Sequence, residues 1–333
     1  MSLDLENAFG QEIRKQAGVW LCIYAVIGII GIFANLLVLA VFLVISNCGR
    51  NMTAALLTHQ SVIDLLSSVV FLPFYVIPEG WFITNKDAGD VFCKGRSVFW
   101  VLATTSTMNL VLITVERYYA IVHPIKHYVH YKNIKLWRVL PIVYIYALFT
   151  QGHLFFVAQI DEDFYCFYNW SNTNENLQAI IGMQSFIFSW LIPIIIIVFA
   201  YSTILLSIRK MDLGFPNGYG SGGSRRRFIA QKNLTNTFIA VSIAFAVCWT
   251  PDMFLYLTYN VSSGTLPKNM ENGIGHRLTV LLSVCNMVVN PFIYTCKYKK
   301  FKTGLSKMFI DIKISSRQTR ISNINVTDCQ TEL

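Results

Sequence analysis

Charge is scarce in this chain: Asp, Glu, Lys and Arg make up 14% of its 333 residues, against 54% hydrophobic. That composition excludes a soluble globular domain and leaves a membrane protein with many crossings. No internal repeat is found, which counts against the inverted-repeat architecture of many transporters. The histidines (His59, His123, His127, His130, His153 and His276) are scattered and form no metal-ligand cluster, so an intramembrane metal enzyme is disfavoured. Residues 1–18 are too polar for a signal peptide, and the first apolar segment is expected to act as an uncleaved signal anchor. Low complexity is confined to Gly214–Ser224 (GFPNGYGSGGS), read as a flexible part of a loop.

What the chain has in abundance is long apolar runs. Seven are long enough to cross a bilayer as helices, about twenty residues or more each. They run Val19–Ile45, Met52–Ile77, Val91–Ala120, Leu136–Ala158, Ile180–Ile208, Phe228–Tyr259 and Gly275–Cys296. The predicted fold class is all-α, a seven-transmembrane bundle. A short amphipathic helix, Lys299–Phe309, follows the seventh crossing and is expected to lie on the membrane surface. The chain divides into an extracellular N-terminus (1–18), the membrane domain (19–297), the surface helix (298–310) and a cytoplasmic tail (311–333).

With the N-terminus outside, only Arg14, Lys15, Lys86, Lys94, Arg96, Lys268 and Arg277 of the 27 basic residues face outward, a strong positive-inside bias. The formal net charge of +9 is then cytoplasmic charge facing anionic membrane lipid, and it gives no reason to invoke nucleic acid. Acids outnumber bases on the outer face, either as a solvated rim or as an attraction for a cationic ligand. Of eight cysteines, Cys22, Cys248, Cys285 and Cys296 fall in helices, while Cys48 and Cys329 face the reducing side. By elimination Cys93 and Cys166 are expected to form one disulfide. Asn169 and Asn260 head outward-facing Asn-x-Ser/Thr sequences and are expected to accept glycans; Asn51, Asn233 and Asn325 face inward and should be bare.

Within the apolar runs, polar residues recur at matching depths. Asp64 lies mid-helix in the second run, and Asn35, Ser106, Asn286 and Asn290 can converge on it from the first, third and seventh. The arrangement reads as a buried hydrogen-bond network, or as that network with a monovalent cation beside the carboxylate. The third run ends in Glu116-Arg117-Tyr118, a held guanidinium or a simple interfacial ion pair. The sixth carries Phe245-x-x-Cys248-Trp249-Thr250-Pro251, the fifth Pro193 and Tyr201, and the seventh Asn290-Pro291-x-x-Tyr294. Interior prolines remove backbone hydrogen bonds and leave points at which a helix bends, and Asn290 is expected to re-satisfy a freed backbone group.

These residues, in this order, resemble the rhodopsin-like (class A) G-protein-coupled receptors from Asn35 to the amphipathic helix, and within them the peptide receptors. The resemblance implies that Trp249 and Phe245 couple ligand to movement of helix six. It implies a sodium-sensitive polar core of Asn35, Asp64, Ser106, Asn286 and Asn290, a sodium ion on Asp64 being the one cofactor-like species. It implies that Arg117, released from Glu116, meets a heterotrimeric G protein, with Tyr201 and Tyr294 stabilising the open state. Arrestin and receptor kinases are implied as further partners, and the plasma membrane as location, with N-terminus outside and C-terminus inside. The chain departs from the family pattern in several places. Glu116 stands where Asp is commoner. Helix four has no mid-helix Trp, for which Tyr144 or Tyr146 can substitute. Gln231 stands where many members place an acid that holds Arg117, so basal signalling is expected. The first outer loop, Trp81 to Cys93, is unusually long.

The ligand is narrowed by exclusion. Amine receptors carry an Asp in the outer half of helix three, where this chain has Phe99 and Trp100. Opsins need a Lys in the outer half of helix seven, and Leu278–Cys285 contains none. Phe99, Trp100, Asp252 and Arg277 are the expected pocket residues. Asp252 either meets a cationic group of a peptide or pairs with Arg277 or His276. Arg96 either meets a ligand carboxylate or pairs with Asp90. A lipid or small non-amine ligand is the alternative, with a transporter further behind. At the cytoplasmic end, Arg225, Arg226, Arg227 and Lys232 adjoin the expected G-protein site or bind lipid headgroups. Ser315, Ser316, Thr319, Ser322 and Thr327 are candidate phosphosites, and Thr331-Glu332-Leu333 fits a PDZ-domain ligand.

Overall fold

The computed structural model describes residues 2–46, 52–77, 85–131, 136–161, 166–171, 174–213, 222–262 and 274–310. In chain order they form α1 (Ser2–Ser46), α2 (Met52–Tyr75), α3 (Lys86–Val122), a short α4 (Pro124–Tyr131), α5 (Leu136–Gln151) and a single turn, α6 (Leu154–Val157). A hairpin follows, β1 (Ala158–Ile160) antiparallel to β2 (Cys166–Tyr168), with Ile160 opposite Cys166. Then come α7 (Glu175–Phe186), a wide π-turn (Ile187–Leu191) and α8 (Ile192–Leu213), together the fifth crossing. The sixth and seventh crossings are α9 (Gly222–Val261) and α10 (Ile274–Lys297), and α11 (299–310) follows after a break at Tyr298.

Six of these helices are long and apolar enough to cross a membrane. The fourth crossing differs from its expected span: α5 has 16 residues and stops at Gln151, not Ala158. Hydropathy continues through the break; Gly152 N–H still makes the helical bond to Leu148 O at 2.7 Å, and a Cβ on Gly152 would collide with that carbonyl, so the helix ends at a position that only glycine fits. Helices also extend beyond the apolar runs. α3 begins at Lys86, capped by Asn85, whose side chain accepts from Ala88 N at 2.8 Å. Residues 86–92 of the expected long outer loop are therefore helical. α9 takes in residues 222–224 of the segment read as flexible. The tail, 311–333, with its phosphosites and C-terminal triplet, lies outside the described residues.

Helix α3 runs through the middle, packed against α2, α5 and α8. Phe42, Leu57, Ile113, Ile204, Phe238 and Phe245 form a core with almost no exposure. The outward faces are just as apolar: Phe33, Val198, Phe199, Ile243 and Val247 are each exposed by more than half. Apolar residues inside and out describe a bundle whose solvent is lipid. The Cys93–Cys166 disulfide forms as expected, pinning the hairpin onto the start of α3. In α11, Phe301 is buried against Phe42 and Tyr294 while Phe309 and Ile310 are exposed, so the surface helix is anchored at one end by an aromatic plug.

Candidate functional site

Asp64 is fully buried in α2. Ser106 Oγ donates to its Oδ1 at 2.9 Å and Asn290 Nδ2 to its Oδ2 at 3.0 Å, as the convergence of helices two, three and seven predicts. A third donor escaped the sequence reading. Gln60, one turn earlier on the same face of α2, places Nε2 at 3.1 and 3.2 Å from the two carboxylate oxygens and against Ser106 Oγ. Asn109 Nδ2 donates to Gln60 Oε1 at 2.8 Å and to Leu56 O at 3.1 Å. Asn109 Oδ1 meets His59 Nδ1 at 2.9 Å, and His59 Nε2 meets the Tyr144 hydroxyl at 3.1 Å. Tyr144 therefore supplies the polar tie to helix four, whereas Tyr146 donates to Phe188 O in the π-turn. A Gln four residues before an Asp on one helix was the available signal for Gln60.

Two expected members stand apart from the carboxylate. Asn286 lines the neighbouring cavity without a hydrogen bond to Asp64 among the described residues. Asn35 Nδ2 donates instead to Gly31 O and Met287 O, both at 2.9 Å. Met287 is the residue whose carbonyl Pro291 leaves without a helical donor. The freed backbone group is thus satisfied by Asn35 from α1, not by Asn290, which is committed to Asp64.

The sodium ion implied by the resemblance fits this arrangement poorly. Gln60 Nε2 already sits at the vertex shared by both carboxylate oxygens and Ser106 Oγ. On the far side a cavity the size of about one water is walled by Phe99, Ala103, Met287 and Trp249 beside the polar Ser67, Ser283 and Asn286. Two buried polar atoms around the carboxylate lack a protein partner among the described residues, Trp249 Nε1, a donor, and Asn290 Oδ1, an acceptor, a pair that one water could serve.

At the cytoplasmic end Arg117 is held by a bidentate pair: Nε lies 2.6 Å from Glu116 Oε2 and a terminal nitrogen 2.6 Å from Oε1. Thr53 of α2 touches both partners, donating to Glu116 and meeting the guanidinium. His127 of α4 approaches Glu116 Oε1 at 3.1 Å. Tyr118 points elsewhere, packing on Phe199 and His123. Tyr201 accepts a long contact from Thr114 Oγ1 at 3.4 Å, and Tyr294 is buried against Phe42 and Phe301, so neither tyrosine meets Arg117 in this closed arrangement. Gln231 is exposed. Two residues on, Asn233 Nδ2 donates to Lys297 O at 3.1 Å while its Oδ1 accepts from Lys299 N at 3.2 Å, tying α9 to the α10–α11 break. Lys232 pairs with Asp212 at 2.9 Å.

In the outer half, Trp249 stands edge-on to Trp100 at 6.1 Å and 6.5 Å from Phe245. Phe99 packs on Phe71 and Tyr75, and Arg96 lies 4.3 Å over the Tyr75 ring. Asp90, its expected partner, instead accepts from Ile160 N at 2.9 Å and holds the hairpin. Asp252 is buried beside Thr279, and neither Arg277 nor His276 lies within ion-pair distance of it. Arg277 offers its backbone carbonyl to the Tyr24 hydroxyl at 3.1 Å. Above this floor, burial raises the Tyr168 hydroxyl well above the ordinary phenol range, with Arg96 opposing.

The two glycan expectations divide. Asn169 is partly exposed; its Nδ2 donates to Gln159 Oε1 and its Oδ1 accepts from Ser171, a turn centred on the sequence motif. Asn260 is fully buried in α9 against Gly182, with Nδ2 donating to Tyr256 O at 2.8 Å. A glycosylated Asn must present that nitrogen to solvent, so the Asn260 expectation is corrected.

A bundle of crossing helices with a buried carboxylate network, a held arginine at the inner end and an aromatic floor at the outer end defines a membrane receptor. The profile of the 7 transmembrane receptor (rhodopsin family) matches residues 34–294, and the chain belongs to that family. The family is one of receptors, not enzymes. The chain is similar to galanin receptor 2b of Danio rerio, 25% identical over 98% of this chain and 85% of the relative. It is also similar to the allatostatin-A receptor of Bombyx mori (28%, 92% and 83%) and to the histamine H2 receptor of Homo sapiens (25%, 78% and 71%).

Proposed function

We propose that this receptor binds an extracellular peptide and passes the signal to a heterotrimeric G protein at the plasma membrane, with its N-terminus outside. The observation that carries the reading is Asp252, a buried acid within one turn of Trp249 that has no cationic partner among the described residues. An unpaired carboxylate in low-polarity surroundings is costly, and a ligand amine or guanidinium would offset that cost. The galanin and allatostatin-A receptors are peptide receptors. The histamine H2 receptor answers to an amine by name, but Phe99 and Trp100 give helix three of this chain no acid with which to hold one. A second reading, a lipid or small non-amine ligand, draws on the aromatic cluster of Tyr24, Phe71 and Phe99. Arrestin and receptor kinases acting on the tail, and a PDZ-domain protein at Thr331–Leu333, complete the proposed partners.

The test is second-messenger output in cells, screened against amidated and basic peptides. We expect a saturable response that Arg117→Ala abolishes and whose potency Asp252→Asn lowers about tenfold or more, the equivalent of ~1.4 kcal/mol. Responses to lipids or neutral small molecules alone, unmoved by Asp252→Asn, would instead establish the second reading.

A further inference from the structure

We infer that Gln60 takes the place of a cation beside Asp64, so that this receptor keeps its buried carboxylate without a sodium ion. A carboxylate inside a bundle needs a countercharge or a full set of donors. Here the donors suffice. Ser106 and Asn290 each give one hydrogen to Asp64. Gln60 has two amide hydrogens: one is shared by the two carboxylate oxygens, and the other meets Ser106 Oγ. Asp64 thus accepts from three side chains on three helices, which spreads its charge without a cation.

The direction of the amide decides the matter, because a reversed Gln60 would offer oxygen to a cation. Reversal is prevented from outside the cluster. Asn109 Nδ2 donates to the backbone carbonyl of Leu56, which can only accept, and the same nitrogen faces Gln60 Oε1. Gln60 must therefore present Nε2 to Asp64. That nitrogen lies where an ion bridging Asp64 and Ser106 would lie, and hard cations take oxygen ligands, not N–H groups. The cavity beside Asp64 has room for about one water, and its lining mixes Phe99, Ala103, Met287 and Trp249 with the polar Ser67, Ser283 and Asn286.

The inference needs no knowledge of the ligand, because sodium binding is read as stability. Purified receptor is melted in about 150 mM sodium chloride and in choline chloride at the same ionic strength. We expect the wild-type melting temperature to be the same in the two salts. Gln60→Ala, or Gln60→Ser as a milder opening, should melt lower overall but gain a sodium-specific rise of about 2–4 °C. Adding Asp64→Asn should remove that rise. A wild-type chain that melts higher in sodium, with the difference lost in Asp64→Asn, would overturn the inference. So would Gln60 variants that melt identically in both salts, since Gln60 would then not be what excludes the ion. The wild-type comparison decides even if neither Gln60 variant can be purified.

Discussion

Asn35 and Pro291 form a complementary pair across two helices: proline withholds a backbone N–H from Met287 O, and the asparagine amide returns one. Removing the amide leaves a buried carbonyl unpaired, a loss of about 1–3 kcal/mol. Asn35→Ala should therefore lower the melting temperature of the purified receptor. Adding Pro291→Ala, which restores the helical N–H, should recover part of the loss, and a double variant no more stable than Asn35→Ala would refute the pairing. The sequence marked both residues as landmarks but misassigned the partner, because spacing along one helix says nothing of what a neighbouring helix brings. Gln60 and Asn109 were overlooked for a related reason. A lone Gln or Asn in an apolar run is unremarkable until a carboxylate is seen four residues away or one helix over. Thr53 belongs with them: its hydroxyl bridges Glu116 and Arg117, a contact no local motif announces.

Among the elements, α9 is the one expected to move, and its inner end is tied by Asn233 to the carbonyl and N–H flanking the break before α11. Those two backbone groups are exposed by the break itself, so the tie depends on α11 leaving the line of α10. Where Gln231 offers no acid, Asn233 ties α9 to the α10–α11 break and Thr53 touches both Glu116 and Arg117. A neutral hydrogen bond such as those of Asn233 is worth ~1 kcal/mol, about fivefold in an equilibrium, and one to a charged group, as for Thr53, about 1.5–3 kcal/mol. Asn233→Ala and Thr53→Val should each raise ligand-free signalling several-fold in a cell assay normalised to surface expression, while Gln231→Glu should lower it. Unchanged basal output in both loss variants would show that neither contact restrains the closed state. Apolar length made the crossing helices legible, since a lipid-facing helix must be apolar along its whole span. It failed at the end of α5, where the run stays hydrophobic past Gly152 although the helix ends at Gln151.

For the molecule as a whole, the Cys93–Cys166 bond closes a loop of 73 residues and fixes the hairpin to the outer end of α3. Loop-closure entropy puts its contribution at about 4 kcal/mol. Replacing both cysteines by serine should lower surface expression and melting temperature together; normal values for both would make the bridge dispensable. Compartment reasoning made this pairing legible, but the burial of Asn260 was not, since a sequence motif carries no information on which side of a helix faces a neighbour. The wide turn at Ile187–Leu191 has a consequence for the whole receptor. It inserts an extra residue into the fifth crossing, which shifts the inner half by about 100° relative to an uninterrupted α-helix. The outer and inner halves of that crossing are therefore two phases of one screw. A chimera whose outer half comes from a receptor lacking the turn would present Tyr201 to lipid instead of to Thr114, and inserting one residue at the junction would bring it back into phase.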